Sequence, residues 1–158
     1  MIHVLAGRGK NIRSATEHNM ADINKSALLV LNDDKTKFLV DRKTRDGILS
    51  QWLMPGGKIE HGETLEQALV REIKEEINCE LDIESVKFIA EYEAPASGMP
   101  GKTVNIKLYS GTFTGTPVAS SEITAIGWLG REDLENPEAS ETIRVHILPD
   151  LLKRGIIV

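Results

Sequence analysis

Residues 57–79 read GKIEHGETLEQALVREIKEEINC, and the interpretation of the whole chain turns on them. Glu63, Glu66, Glu72, Glu75, Glu76 and Arg71 crowd a turn and one short helical run. Thr64 followed by Gln67 has the form of a capping box, which predicts a helix start at that point. No Pro or Gly interrupts the run from Thr64 to Ile77, and most of its residues favour helix. Val70, Ile73 and Ile77 recur at helical spacing and predict an apolar stripe. At about 100° per residue, Glu72, Glu75 and Glu76 share roughly a third of the helix circumference and are expected to point away from that stripe. Three carboxylates on one side repel each other and weaken the helix. A hard cation relieves that repulsion. Mg²⁺ accepts one or two protein carboxylates, keeps several waters and takes phosphate oxygens as further ligands. The pattern therefore points to a metal–pyrophosphate site.

The residues ahead of the helix sharpen this expectation. Pro55-Gly56-Gly57 reads as a tight turn whose backbone carbonyls can approach a ligand closely. Glu63 stands just before the helix, within reach of Arg71. Gly57, five residues, Glu63, seven residues and then Arg71-Glu72-Ile73-Lys74-Glu75-Glu76 resembles the Nudix box of the Nudix hydrolases. Every charged position of that pattern is present. The usual glycine after the last glutamates is Asn78, a residue that tolerates the left-handed conformation of a helix C-cap. The longer match PGGKIEHGET resembles the MutT-like branch, and the resemblance covers roughly residues 26–152.

The resemblance implies a site. Glu75 and Glu76 are expected metal ligands, Glu72 a ligand or the general base, and the Gly56 carbonyl a further ligand. Arg71 is expected to orient Glu72 and pair with Glu63, so that Glu63, like Gly57, is structural support. A glutamate six residues ahead of a similar tryptophan joins the metal site in MutT-like enzymes; here that position is Glu122, ahead of Trp128. Arg42 matches a substrate-contacting arginine, and a cation at a strand end beside the metal site is well placed for phosphate. Arg45 is a second candidate substrate contact. The asparagine that reads an oxidised guanine in MutT-like enzymes is matched by Ser140, which has a shorter reach and one donor, so the resemblance to an 8-oxo-dGTP enzyme weakens there.

The chain has 158 residues, 41% hydrophobic and 27% charged, which suits one domain with an ordinary core. No apolar run is long enough to span a membrane. The mildly basic start MIHVLAGRGKNIRSA lacks a sustained apolar segment, so no signal peptide is expected. Cys79 is the only cysteine, which excludes an intramolecular disulfide and suits a reducing cytoplasm. A net charge of −5 argues against stable nucleic-acid binding. It leaves a small nucleotide substrate open, since a divalent cation supplies the positive charge.

In order along the chain, residues 1–25 are expected to form an N-terminal extension, an edge strand or an arm that pairs with a second subunit, with His3 and His18 as ordinary surface residues. Residues 26–158 are expected to be the Nudix hydrolase domain. Ser26–Asn32 and Lys37–Asp41 read as two strands of a hairpin around Asp33-Asp34-Lys35, and the segment from Arg42 to Gln51 as a polar loop. Trp52 and Met54 read as core residues. Alternation in VKFIAEYEA and in TVNIKLYSGTF predicts a long hairpin across the loop PASGMPGK. A strand ends at Trp128-Leu129, and a last helix spans Ser140 to Arg154, kinked or divided at Pro149 and stopped by Gly155. Strands, a helix, more strands and a last helix give an α+β order. The resemblance implies an α/β/α sandwich, with a mixed sheet between helices.

The function expected from these residues is Mg²⁺-dependent hydrolysis of a pyrophosphate bond in a nucleoside diphosphate derivative, with Mn²⁺ as the alternative cation. A (d)NTP or modified nucleotide, as in nucleotide-pool sanitation, leads. An ADP-ribose or dinucleoside polyphosphate pyrophosphatase and a non-catalytic nucleotide sensor on the same fold are the alternatives. An RNA 5′-end pyrophosphohydrolase would need a basic groove that the acidic balance argues against. The extra N-terminal segment and family habit suggest a homodimer.

Overall fold

The computed structural model describes residues 5–6 and 21–158. The expectations for His3, His18 and a subunit-pairing arm lie outside the described residues. Ten strands appear among the described residues: β1 Leu5–Ala6, β2 Ile23–Leu28, β3 Lys37–Arg45, β4 Ile48–Leu49, β5 Gly56–Lys58, β6 Glu80–Leu81, β7 Lys87–Pro95, β8 Thr103–Ser110, β9 Phe113–Thr114 and β10 Ile123–Gly130. Helix α1 covers Leu65–Ile77, and the C-terminal helical segment joins a π-helical stretch, Thr142–Ile147, to α2, Leu148–Lys153.

The main sheet runs β1-β7-β8-β2-β5. Its β2–β8 pair is parallel, with Lys25 opposite Ile106, and the other pairs are antiparallel. A second sheet runs β10-β3-β4, and β6 pairs with β9. Helix α1 lays Leu69, Ile73 and Ile77 into a fully buried cluster with Leu28, Leu39 and Tyr109. The C-terminal helical segment brings Ile143, Ile147, Leu148 and Leu151 against Ile23, Ala27, Tyr92, Ile106 and Leu108. Alternation along β2 explains the two clusters. Ala27 and Leu28 are neighbours in sequence, and their side chains serve opposite faces of the sheet. The α/β/α sandwich expected from the resemblance is the observed architecture.

The long β7–β8 hairpin forms as expected, with Glu91 opposite Lys107. Four local expectations need correction. The hairpin expected of Ser26–Asn32 and Lys37–Asp41 closes only at its tip, where the Asn32 N–H donates to the Lys37 carbonyl, the Leu39 N–H donates to the Val30 carbonyl and Leu31 bridges Phe38; beyond it β2 and β3 enter different sheets. Residues 42–49 are not a loop, because β3 continues through Arg45, turns at Asp46-Gly47 and returns as β4. Their polarity reflects a hairpin that projects from the domain, with Ile48 and Leu49 exposed at its end. Gly56-Gly57 is not a turn but the start of β5, paired with Ala27 and Ser26. Gly56 has φ of 145°, and a Cβ there would collide with the Ser26 carbonyl, so only glycine lets β5 approach β2. Finally, the predicted strand from Thr103 to Phe113 divides into β8 and β9.

The last helix divides as expected, but the division starts upstream of Pro149. The backbone is π-wound through Ile147, and α2 begins at Leu148 with Pro149 as its second residue, where the missing N–H interrupts the hydrogen-bond ladder between the two stretches. Gly155 ends it at φ 68°, and Ile157 packs back into the core.

Candidate active site

Helix α1 starts where the capping box predicts. The Thr64 hydroxyl accepts the Gln67 N–H at 3.1 Å, and the Gln67 side-chain oxygen accepts the Thr64 N–H at 2.9 Å. It ends at Asn78, whose left-handed backbone (φ 55°) lets its N–H reach the Lys74 carbonyl. The box asparagine thus performs the capping expected of glycine.

Arg71 organises the acidic face. Its Nε and Nη2 donate to the two carboxylate oxygens of Glu63 at 2.8 and 2.9 Å, a fork-to-fork pair. Nη2 also donates to the Lys58 carbonyl at 3.1 Å and Nη1 to Glu72 Oε1 at 2.9 Å. Glu75 lies at the edge of this network, 3.4 Å from Nη1. These partners raise the Arg71 pKa further and hold the Glu63 carboxyl below its ordinary range. One guanidinium therefore ties the loop before α1, the strand β5 and the helix together, and fixes Glu72. Gly57 completes the arrangement: a Cβ there would strike the Glu72 carboxylate. The glycine of the box is required because a carboxylate occupies the space of its side chain.

The three helix glutamates do not share one environment. The Glu75 side chain is 51% exposed and that of Glu72 15%. Glu76 is only 4% exposed, which corrects the expectation that all three turn away from the core. It meets Asp41 of β3, which is fully buried. Neither carboxylate has a hydrogen-bond partner for either oxygen. Two facing acceptors can share a hydrogen bond only when one holds a proton. Burial, reinforced by Asp41, drives the Glu76 pKa far above the carboxylate range, and burial also raises Asp41. Lysines surround the pair: Lys25 and Lys43 both lower the Asp41 pKa by their charge. Burial pulls the Lys25 pKa down, and Lys43 adds to that effect while Glu76 opposes it.

Orphaned buried carboxylates beside Glu72 and the Gly56 strand are hard oxygen donors without a donor partner, and such a set fits a divalent cation. Among the described residues, no three His, Cys, Asp or Glu side chains are drawn together as a closed ligand cage.

The other expected site residues are distributed around this centre. Glu122 is 65% exposed, and its carboxylate lies 3.3 Å from Arg45. Its segment is anchored to the end of α1, because the Ser120 N–H donates to the Glu76 carbonyl. Arg42 stacks its guanidinium 4.1 Å from the centroid of the Trp52 ring and lies 3.9 Å from Glu138. Its buried Nε has no partner. Ser140 is buried, donates its N–H to the Trp52 carbonyl, and accepts the Ile143 N–H on its hydroxyl. The structure thus joins Glu63, Arg71, Glu72 and Glu75 in one network, Arg45 and Glu122 in a second, and Arg42, Trp52 and Ser140 in a third. Ser140 of the third network opens onto a cavity of about 60 Å³ that also has Gly56, Lys25, Met54 and Ser97 in its wall. Asp41 and Lys25 escaped the sequence reading. An acid closing the apolar run KFLV and a lysine inside a strand were the available signals.

A mixed sheet between two helical layers, carrying a carboxylate-rich helix clamped on a glycine strand, defines a narrow class of domain. The NUDIX domain family model matches residues 23–151, and the chain belongs to the Nudix family. It is 37% identical over 70 residues to the 8-oxo-dGTP diphosphatase of Escherichia coli strain K12, covering 44% of this chain and 54% of that protein. It is 32% identical over 102 residues to the nucleoside triphosphatase NudI of Enterobacter sp. strain 638, covering 60% and 72%. The chain therefore spans about half the length of the first of these relatives, and only 18% of a further relative from Caenorhabditis elegans. The solution structure of the E. coli ORF135 protein superposes with a TM-score of 0.65 at 25% identity, covering 84% of this chain and 91% of that one. Nudix hydrolases generally use divalent metal ions. No helix among the described residues is long and apolar enough to cross a membrane.

Proposed function

We propose that this chain hydrolyses a pyrophosphate bond in a nucleoside triphosphate or a modified nucleotide, with Mg²⁺ as its cation. The observation that carries the proposal is the buried, unpartnered carboxylate pair Glu76–Asp41 beside the Arg71-held Glu72. Glu72, Glu75, Glu76 and the Gly56 carbonyl would hold the cation, with Glu122 joining from the segment anchored to the end of α1. Bound there, the cation would supply the positive charge that lowers the pKa of a water and neutralises phosphate oxygens. Glu72, held in one orientation by Arg71, is placed to accept a proton from the attacking water. Arg42 and Arg45 supply guanidinium donors to the phosphates. Ser140 lines the cavity next to Gly56, which suits it to contact the nucleoside end.

The relatives named as an 8-oxo-dGTP diphosphatase and a nucleoside triphosphatase favour a triphosphate over ADP-ribose or a dinucleoside polyphosphate. In the same reading, the hydrolase domain takes in the whole of β2 from Ile23, the residues ahead of it are an extension that pairs two copies, and the cytoplasm is the working compartment. The test is phosphate and pyrophosphate release across a panel of (d)NTPs and oxidised nucleotides, with Mg²⁺ and with a chelator. Turnover of at least one member, abolished by the chelator and by Glu76→Gln, is the expected result. Binding without turnover of any member would instead establish a sensor. Light scattering of the full chain against one starting at Met20 tests the pairing role.

A further inference from the structure

Lys25 occupies the middle of β2, inside the main sheet, opposite Lys58 on β5 and Ile106 on β8. Directly opposed residues of an antiparallel pair project to the same face, so Lys25 and Lys58 stand side by side. Two like charges in that relation destabilise a sheet unless an anion joins them. A lysine at a half-buried central position also carries a desolvation penalty that calls for a partner. Among the described residues, Lys25 forms no ion pair within 4 Å. Its side chain lines the cavity that also contains Gly56 and Ser140. Gly56 belongs to β5, whose Gly57 packs against the Glu72 carboxylate, so the cavity reaches the strand on which the acidic helix is clamped.

We propose that Lys25 binds a non-bridging phosphoryl oxygen of the substrate at the Gly56 end of this cavity, and so positions the diphosphate beside β5. This assignment rests on the nucleotide-hydrolase reading above. A compact ammonium is a point-charge donor suited to a phosphoryl oxygen. Lys25, beside Lys58 and in no ion pair among the described residues, leaves positive charge without an anion at the wall of this cavity. A polyanion arriving at the Gly56 end of the cavity supplies the missing negative charge. A nucleobase carbonyl is the competing acceptor, and the experiment separates the two.

The experiment uses the full chain with Mg²⁺ and measures binding by calorimetry with two probes, inorganic pyrophosphate and the free nucleoside of whichever nucleotide is turned over. Lys25→Met and Lys25→Gln each remove the charge while keeping length, and thermal melting selects the variant that folds as wild type. Pyrophosphate affinity is expected to fall by about tenfold or more in that variant, with nucleoside affinity unchanged and Lys25→Arg restoring most of the loss. Pyrophosphate affinity within about twofold of wild type overturns the proposal. So does a loss confined to the nucleoside, which would assign Lys25 to the base. Failure of the wild-type chain to hydrolyse any nucleotide refutes the enzyme reading alone, because the pyrophosphate measurement still reports on Lys25.

Discussion

Replacing Glu76 by Gln should abolish a pH dependence of stability that the metal-free wild type must show. Burial first, and Asp41 second, push the Glu76 pKa up from 4.5 to about 11. The native state therefore holds a proton that the unfolded chain has already shed at neutral pH. Stability from this group is complete below the ordinary carboxylate pKa and falls as pH rises toward the raised value. One proton is worth on the order of 1 kcal/mol per pH unit, so metal-free wild type should lose roughly 2 to 3 kcal/mol between pH 6 and pH 8. Against a total of about 5–15 kcal/mol for a domain, that loss is easily measured. In Glu76→Gln the amide can donate to the orphaned Asp41 oxygens, and no shared proton is needed. The assay is urea unfolding in chelator at pH 6, 7 and 8, comparing the two proteins so that other titrating groups cancel. Added Mg²⁺ should flatten the wild-type slope, since the cation takes the place of the proton. Equal losses in wild type and Glu76→Gln across that range would refute the buried-pair reasoning.

Other substitutions test other contacts. Arg71→Ala strips Glu63 and Glu72 of their common partner, and should lower kcat about 100-fold or more while costing about 2 kcal/mol of stability, read by turnover and by urea unfolding. Gly57→Ala forces its methyl into the Glu72 carboxylate, so Mg²⁺ affinity measured by calorimetry should drop about tenfold. Thr64→Ala removes the first hydrogen bond of the capping box and should cost about 1 kcal/mol, seen as a lower urea midpoint with unchanged kcat. Asn78→Ala places an ordinary side chain in the left-handed cap and should cost about 1 kcal/mol in the same assay.

Much of this architecture was legible in residues 57–79, because the signals there are local. A capping box, a helical stripe and an arginine eight residues from its glutamate are each fixed within two or three turns of chain. Strand partners were not legible in the same way. Ser26–Asn32 and Lys37–Asp41 have the pattern of a hairpin, yet the sheet each strand enters depends on β8 and β10, some 80 residues away in the register. Arg42–Leu49 looked like a loop because a projecting hairpin has little apolar surface to bury. Glu76 looked solvated because its partner, Asp41, lies on a strand remote in sequence. The burial of a charge is a property of its neighbours, and the periodicity of one helix does not contain them. Ser140 carried too little side-chain chemistry to declare its place in a cavity wall.

The π-wound stretch Thr142–Ile147 sits between Ser140 and the anchors Leu148 and Leu151. Its extra residue per turn is slack already taken up. Deleting one residue there would let the backbone relax to an ordinary α-turn while Ser140 and the anchors keep their places around the axis. A further insertion has no such turn to absorb it and would carry Ser140 about 100° round the axis, out of the wall it shares with Gly56. Variation in what this chain accepts should accordingly arise by exchange of side chains along that stretch or by loss of the one extra residue, and not by further insertion within it.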